Sequence, residues 1–123
     1  MRERARYVCG HRLPAAEAEV LELLLANGEP MSVAEVQQKL PPPPRAHTTI
    51  STLLTRLAER GLVIRRARGR IFEWSPAGSP RDLAVTALQH VLERVEDPDA
   101  VLLGFLESVK RKDKRRGADR GRR

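Results

Sequence analysis

The chain has 123 residues, enough for one compact domain with short additions. Hydrophobic residues make up 41% of it and aromatic residues 3%, which predicts a thin aliphatic core without a substrate-sized pocket and excludes a large enzyme. The 23 Lys and Arg residues outnumber the 16 Asp and Glu residues, and the resulting net charge of +7 favours nucleic acid as a partner.

The positive charge is unevenly distributed along the chain. Residues 1–80 carry a net charge of +4, residues 81–109 carry −4, and residues 110–123 carry +7. The last segment has no large apolar residue, so we predict a disordered basic tail that is either a solubilising segment or a non-specific phosphate-binding arm. Apolar stretches are shorter than the roughly 20 residues of a membrane span, so we expect a cytoplasmic protein without a membrane partner.

The first twelve residues are polar and rich in arginine, and they show no periodicity, so we predict a flexible basic arm. Cys9 and His11 lie close together in this arm, but the sequence offers no second ligand pair. We therefore predict neither a metal site nor a cofactor. The single cysteine cannot form an internal disulfide, so nothing in the sequence requires an oxidising compartment.

Apolar periodicity next predicts two helices. The first begins near Leu13-Pro14 and ends at Asn27-Gly28. Ser32 and Glu35 have the spacing of a capping box, which predicts a second helix from about Val33 to Leu40. The prolines at positions 41–44 cannot continue that helix and predict a stiff connector.

A third helix and a hairpin follow the connector. Apolar residues recur along one face of the segment from His47 to about Arg60, and Gly61 ends it. Two short β-prone runs, 62–64 and 71–74, flank an arginine-rich segment whose Gly69 suits a tight turn, so we predict a hairpin with four arginines at its tip. Phe72 and Trp74 share one strand face and are expected to pack against the helices.

Two amphipathic helices are predicted after the hairpin, beginning at Ser79-Pro80 and Asp97-Pro98. They present more apolar surface than the short hairpin and a pair of helices can cover, so we interpret them as a dimerisation unit, the alternative being that both cap the N-terminal core. The predicted dimerisation residues are Leu83, Leu88, Val91, Leu92, Val101, Leu102, Phe105 and Leu106.

This order of elements predicts a mainly α fold with a small β-hairpin, a winged helix-turn-helix followed by C-terminal dimerisation helices. The third helix would read DNA, because its polar face carries short hydroxyl side chains that lower helix propensity but suit base edges and phosphates. Arginines beside it and in the wing would contact phosphates. The predicted DNA-binding residues are Arg45, His47, Thr48, Thr49, Ser51, Thr52, Thr55, Arg56, Arg65, Arg66, Arg68 and Arg70.

These predictions divide the chain into four parts. They are a flexible arm (1–12), a winged-helix DNA-binding domain (13–77), a helical dimerisation region (78–109) and a disordered basic tail (110–123).

Several stretches also resemble the penicillinase-repressor family of the BlaI, MecI and CopY type. They are AEVLELLLANGEPMSVAEVQQKL, HTTISTLLTRLAERGLV and RGRIFEWSP, followed by LAVTALQHVLERVEDPDAVLLGFLESV in the C-terminal part. The resemblance covers roughly residues 13–109. It implies a homodimeric repressor of double-stranded DNA that binds a palindromic operator with TACA-like half-sites. The family's DNA-contacting positions correspond to Thr48, Thr49, Ser51, Thr52 and Arg56, with wing contacts near residues 68–70.

Two departures from the family bear on regulation. Copper-responsive members have a C-terminal cluster of cysteines, and this chain has only Cys9, near the other end. Members inactivated by a protease are cleaved at an Asn-Phe bond, and the corresponding place here is Gly104-Phe105. The inducing signal, and whether a regulatory protease or signal protein is a partner, stay open.

Two other classes of function compete with this hypothesis. A winged helix can serve as a protein-interaction module, here with a basic tail that binds nucleic acid non-specifically. A protein-interaction module would not require short polar side chains on the third helix beside an arginine-rich wing. An enzyme is not expected, because His11, His47 and His90 lack plausible catalytic partners and no glycine-rich phosphate loop is present.

Overall fold

The computed structural model describes residues 4–121, with side chains described up to residue 115. It divides into two compact units, one ending at Ala87 and the other beginning at Leu88. The division falls inside a helix, later than the predicted boundary at residue 77. The first unit contains both hairpins and the first three helices, in the order of the predicted winged helix-turn-helix.

A hairpin replaces the flexible arm predicted at the N-terminus. Strand β1 (Arg6–Val8) pairs antiparallel with β2 (His11–Leu13). Cys9 and Gly10 form the turn with φ values of +49° and +80°, as a type I′ turn requires. Val8 and Leu13 are buried, so the prediction was wrong because burial of these two residues offsets the entropy cost of ordering the segment.

Three helices form the centre of the first unit: α1 (Ala15–Asn27), α2 (Val33–Lys39) and α3 (His47–Glu59). Gly28, at φ +79°, ends α1. Both hydrogen bonds of the predicted capping box at Ser32 and Glu35 are present, which confirms where α2 begins. The helices bury an aliphatic core whose fully covered members include Val20, Leu21, Leu24, Val36, Ile50, Leu54 and Leu57.

The wing is a hairpin of β3 (Val63–Arg68) and β4 (Ile71–Pro76), joined by a two-residue turn that begins with Gly69 at φ +63°. Met31 lies next to β4 and exchanges backbone hydrogen bonds of 2.9 and 2.7 Å with Trp74. These bonds anchor the base of the wing to the segment before α2. Trp74 is buried, as expected, but Phe72 is 47% exposed, because it lines an open cavity between the wing and helices α2 and α3.

Two further helices are α4 (Pro80–Leu92) and α5 (Pro98–Gly121). Ser79 and Asp82 exchange hydrogen bonds at the start of α4, and Asp97 accepts from the backbone N–H of Ala100 at the start of α5. These contacts agree with the predicted helix starts. Leu83 is 2% exposed and belongs to the core of the first unit, so its prediction as a dimerisation residue is corrected.

Helix α5 continues through the segment predicted to be disordered. It extends to Gly121, whereas the sequence predicted a helix ending near Val109. Lysine and arginine are good helix formers, and cations near a helix C-terminus interact favourably with its dipole. The absence of an apolar face therefore did not prevent a helix here. The last two residues of the predicted tail lie outside the described residues.

Candidate nucleic-acid interface

Helix α3 has an aliphatic face in the core and a polar face exposed to solvent. The aliphatic side chains are Ile50, Leu53, Leu54 and Leu57. The polar side is interrupted by no large apolar residue, and its exposed members are His47, Thr48, Thr49, Thr52, Thr55, Arg56 and Glu59. A helix anchored in this way presents its polar side chains in a fixed orientation, as recognition in a DNA groove requires.

The threonine hydroxyls of α3 fall into two classes. Thr52 donates to the carbonyl of Thr48, and Thr55 donates to the carbonyl of Ser51, both at 2.9 Å. Those two hydroxyls present only their oxygen atoms as acceptors. Within the described residues, the hydroxyls of Thr48 and Thr49 make no such bond. They can therefore donate to a base or a phosphate oxygen.

The predicted reading face is divided between two concave surfaces. One is a shallow groove of about 310 Å³ on the outer side of α3, which we call the outer groove. It is lined by Thr48, Thr49, Thr52, Leu53 and Arg56. The other is a deeper cavity of about 500 Å³ between α2, α3 and the wing, which we call the wing cleft. It is lined by Ser32, Val33, Ala34, His47, Ser51, Thr55, Arg65, Ile71, Phe72 and Trp74.

The four wing arginines differ in position and in contacts, although the sequence predicted the same role for all of them. Three of them lie on β3, and only Arg70 is in the turn, so the prediction of four arginines at the tip is corrected. Arg65 lies over the Phe72 ring, with its Cζ 4.0 Å from the ring centroid. Arg68 forms an ion pair of 3.3 Å with Glu73. Arg66 and Arg70 are exposed and form no ion pair within the described residues.

Arg45 is positioned as an anchor. Its guanidinium lies 3.1 Å from the carboxylate of Glu19 on α1, and its side chain is 23% exposed. Its carbonyl accepts a hydrogen bond of 2.8 Å from Gln37. These contacts connect the segment before α3 to the first two helices. The ion pair with Glu19 involves the positive charge of Arg45, which the sequence predicted to contact a DNA phosphate.

Sequence reasoning missed the apolar part of the wing cleft. Ile71 and Phe72 are 53% and 47% exposed on β4, and the first residues of α2 lie opposite them. The sequence predicts packing against the helices for Phe72 and Trp74 and assigns Ile71 only to a strand. The alternation of the hairpin register, which pairs Arg65 with Trp74, is the signal that places Arg65 on the same face as the aromatics.

The carboxyl group of Asp82 has a clearly shifted pKa, and this residue does not line either concave surface. The backbone N–H of Ser79 donates to Asp82, which lowers the pKa of that carboxyl. Among the described residues, no three His, Cys, Asp or Glu side chains lie close enough together to hold a metal ion. None of the described helices is both long and apolar enough to cross a membrane.

Comparison with known proteins gives both a family and a fold. The family model described as penicillinase repressor matches residues 13–116. The transcriptional regulator BlaI of Mycobacterium tuberculosis is 30% identical over 102 residues, which cover 80% of this chain and 74% of that protein.

Solved structures are similar at lower identity. The complex structure of hsRosR-S4 aligns with a TM-score of 0.50 at 19% identity, over 86% of this chain and 93% of that chain. MepR, a transcription regulator of the Staphylococcus aureus multidrug efflux pump MepA, aligns with a TM-score of 0.49 at 18% identity, over 78% of this chain and 79% of that chain. At this identity the likeness to hsRosR-S4 concerns the fold alone.

Proposed function

The chain belongs to the penicillinase repressor family, and we propose that it is a homodimeric repressor that reads a palindromic operator through α3 and the wing. Its class is that of DNA-binding transcriptional regulators. Beyond this class, we propose which residues contact DNA, that the protein is a dimer, and that its operator is palindromic. As a regulator of DNA, it is expected to act in the cytoplasm.

The observation that carries the proposal is the exposed hydroxyl face of α3 beside an arginine-bearing wing. The opposite face of α3 is fully covered at Ile50, Leu54 and Leu57. A helix held this firmly can enter the major groove with its polar side chains ordered before binding. Threonine lowers helix propensity, so four exposed threonines in one helix favour a role in recognition over simple solvation.

We assign affinity and selectivity to different side chains. Arg56 on α3, together with Arg66 and Arg70 in the wing, would neutralise phosphates and supply most of the salt-dependent binding. Thr48 and Thr49 would donate to base edges, because their hydroxyls have no other acceptor in the described part of the chain. The wing cleft would take the sugar-phosphate strand that runs between α3 and the wing, with Arg65 above Phe72 at its edge.

Dimerisation is proposed from the second unit. Six large apolar side chains of α5 are 38–60% exposed, and monomeric proteins rarely leave contiguous apolar surface of this kind uncovered. A two-fold dimer would place two copies of α3 in successive major grooves, and repression would follow from occlusion of the promoter. Gly104 and Phe105, at the place that corresponds to the family's cleavage bond, lie inside α5, so a protease would need the helix to open locally.

The proposal is tested by measuring affinity for operator and random duplexes over a range of salt concentrations. We expect affinity for both to fall steeply with salt and the ratio between them to persist. Specific operators are typically bound about 10³-fold or more tightly than random DNA. A chain that bound all duplexes alike would instead be the protein-interaction module with a non-specific basic end.

A further inference from the structure

The wing cleft combines an apolar surface from α2 and the wing with a polar surface from α3. The apolar part includes Ile71 and Phe72 on β4. The polar part includes His47, Ser51 and Thr55, which are spaced four residues apart and therefore follow one side of α3. The volume of about 500 Å³ lies within the range of roughly 300–1,000 Å³ that is typical of small-molecule sites.

The charge in the wing cleft is of one sign. Among the described residues that line it, none is Asp or Glu, and Arg65 is the only arginine or lysine. Glu73 of β4 alternates with Phe72 and Trp74, so it lies on the other face of the strand, where it pairs with Arg68. An anionic group in the cleft would therefore meet a cation without a competing carboxylate.

Arg65 is held in place and can still donate hydrogen bonds. Its Cζ lies 4.0 Å from the ring centroid of Phe72 and 5.9 Å from that of Trp74. Such stacking uses the face of the guanidinium and leaves the N–H groups in its plane available. Arg65 forms no ion pair within the described part of the chain. These N–H groups suit a carboxylate, which accepts two hydrogen bonds from one guanidinium.

The apolar surface of the cleft calls for more than a phosphate contact. Ile71 and Phe72 are 53% and 47% exposed, and a charged phosphate would leave this surface without an apolar partner. A ring placed in the cleft would cover it. The backbone hydrogen bonds between Met31 and Trp74 hold the base of the wing to the segment before α2, so the cleft exists before anything binds.

We propose that the wing cleft binds a small aromatic carboxylate that acts as an inducer. Its ring would pack against Ile71 and Phe72, and its carboxylate would accept hydrogen bonds from Arg65. The hydroxyl of Ser51 makes no hydrogen bond within the described residues and would supply a further donor. The inference rests on the proposed function, because the same cleft is assigned to a DNA strand. The two occupants would exclude each other, so the ligand would release the operator.

The first test is the affinity of the full chain for 2-naphthoate, measured without DNA by isothermal titration calorimetry. Arg65→Gln should raise the dissociation constant by about tenfold or more, the equivalent of a lost charge-assisted hydrogen bond. The matched control is Arg66→Gln, which removes the same charge from the next residue of β3, on the other face of the hairpin. It should change naphthoate affinity by less than about twofold.

A neutral analogue separates the charge contact from general support of the cleft. 2-Naphthamide should bind the wild-type chain about tenfold or more weakly than 2-naphthoate, and it should bind wild type and Arg65→Gln within about twofold of each other. Equal losses for both ligands in Arg65→Gln would refute a contact with the carboxylate. An equal loss of naphthoate affinity in Arg66→Gln would show that the charge of the whole wing attracts the anion, which would also overturn the proposal.

The location of the ligand has its own readout. Trp74 lines the cleft and is the only tryptophan of the chain, so replacement of tryptophan by 5-fluorotryptophan gives a single fluorine resonance, which 2-naphthoate should shift. Ile71→Ala should weaken naphthoate binding by about fivefold through lost apolar contact. The same truncation at Ile64, an exposed residue of β3 that does not line the cleft, should have no effect. Binding without a shift, or a loss from Ile64→Ala instead, would place the ligand elsewhere and refute the site.

Displacement of operator DNA tests the inducer role. Saturating 2-naphthoate should raise the dissociation constant of a labelled operator duplex by about tenfold or more, compared with an equal concentration of sodium chloride. Unchanged operator affinity with the cleft occupied would refute the inducer role and the path of the DNA strand through the cleft. A chain that bound operator but no naphthoate would refute only the ligand site. A chain that bound naphthoate in the cleft but no duplex would refute the proposed function and leave the ligand site standing.

Discussion

The threonines of α3 differ in what their hydroxyl groups can still offer to DNA. Thr49 keeps its donor, whereas Thr52 already donates to the carbonyl of Thr48. A base-edge acceptor, such as the N7 or O6 atom of guanine, therefore has a partner in Thr49 but not in Thr52. Thr52 is left to accept a hydrogen bond or to contact a thymine methyl.

Replacing Thr49 with alanine should lower selectivity more than affinity. We expect the ratio of operator to random-DNA affinity to fall by about 25–100-fold, the equivalent of two lost hydrogen bonds of about 1–1.4 kcal/mol each, one in each subunit of the proposed dimer. Affinity for random duplexes should stay the same, because phosphate contacts are retained. The matched control is Gln89→Ala, an exposed residue of α4 outside the interface. Equal losses on both duplexes would refute base reading by Thr49.

A comparison of two glycines with left-handed backbone conformations distinguishes the cost of backbone strain from the cost of a steric conflict. Gly10 and Gly69 have φ values of +80° and +63°. A Cβ at Gly10 would lie 3.2 Å from the Cβ of Ala87, whereas a Cβ at Gly69 would meet no atom within 4 Å. Alanine at either position would have to adopt an unfavourable left-handed conformation. Only alanine in place of Gly10 would also require α4 to move.

We therefore expect Gly10→Ala to destabilise the chain more than Gly69→Ala. The left-handed conformation should cost about 1–2 kcal/mol in each, and the displaced contact should add about 1 kcal/mol at Gly10. Urea denaturation followed by circular dichroism measures both free energies of unfolding. Equal losses would show that the N-terminal hairpin does not depend on close packing against Ala87.

Within the wing, the arginines should contribute unequally to DNA binding. Arg70 in the turn makes no ion pair in the described part of the chain, whereas Arg68 is paired with Glu73 at 3.3 Å. A paired arginine must exchange its carboxylate for a phosphate, so it gains less on binding. Arg65 has a third role, since its guanidinium lies over Phe72.

Arg70→Ala should reduce the slope of log affinity against log salt by about two phosphate contacts, one from each subunit of the proposed dimer, and Arg68→Ala should reduce it by less. Both should act equally on operator and random DNA. Titration of the two duplexes at several salt concentrations gives the slopes. A larger effect from Arg68 would mean that the ion pair with Glu73 opens when DNA binds.

The start of α4 should lose stability in acid through one carboxylate. The pKa of Asp82 is lowered, chiefly by the hydrogen bond from the backbone N–H of Ser79, so its contribution is present above its ordinary pKa of 3.8 and lost as pH falls through its lower folded value. Asp82→Asn should therefore flatten the dependence of stability on pH below about pH 4. Thermal unfolding between pH 3 and pH 6 provides the measurement, and an unchanged pH profile would contradict the assignment.

Elements with strong local signals were predictable, and elements that depend on tertiary contacts were not. The capping box set the start of α2, and the apolar stripe with Gly61 set the extent of α3. The N-terminal hairpin was missed because Val8 and Leu13 are isolated among arginines and become core residues only once α1 and α4 are in place. The C-terminal part of α5 was missed because low apolar content was taken as disorder.

The candidate site shows the same division. The helical period alone predicts that the threonines of α3 are exposed and that they lie on a different side of the helix from the buried apolar stripe. The ion pair between Arg45 and Glu19 joins residues far apart in sequence and depends on how α1 and α3 pack. The wing cleft likewise depends on the register of β3 and β4, which sequence alone does not specify to one residue.

The excess positive charge and the proposed DNA-reading surface lie in different parts of the chain. The net charge of the whole chain is +7, and residues 110–123 alone carry +7, yet the side chains assigned to base reading are uncharged threonines in the first unit. Sequence-specific binding should therefore depend on α3 and the wing, with total charge setting the rate and salt dependence of encounter.

The most direct test of the account is selection of bound sequences from a random duplex library with the full chain. We expect one enriched palindrome whose half-sites are about one helical turn apart, and loss of that enrichment in Thr49→Ala. Enrichment of a single unrepeated half-site would contradict the dimer, and no enrichment at all would contradict sequence reading by α3.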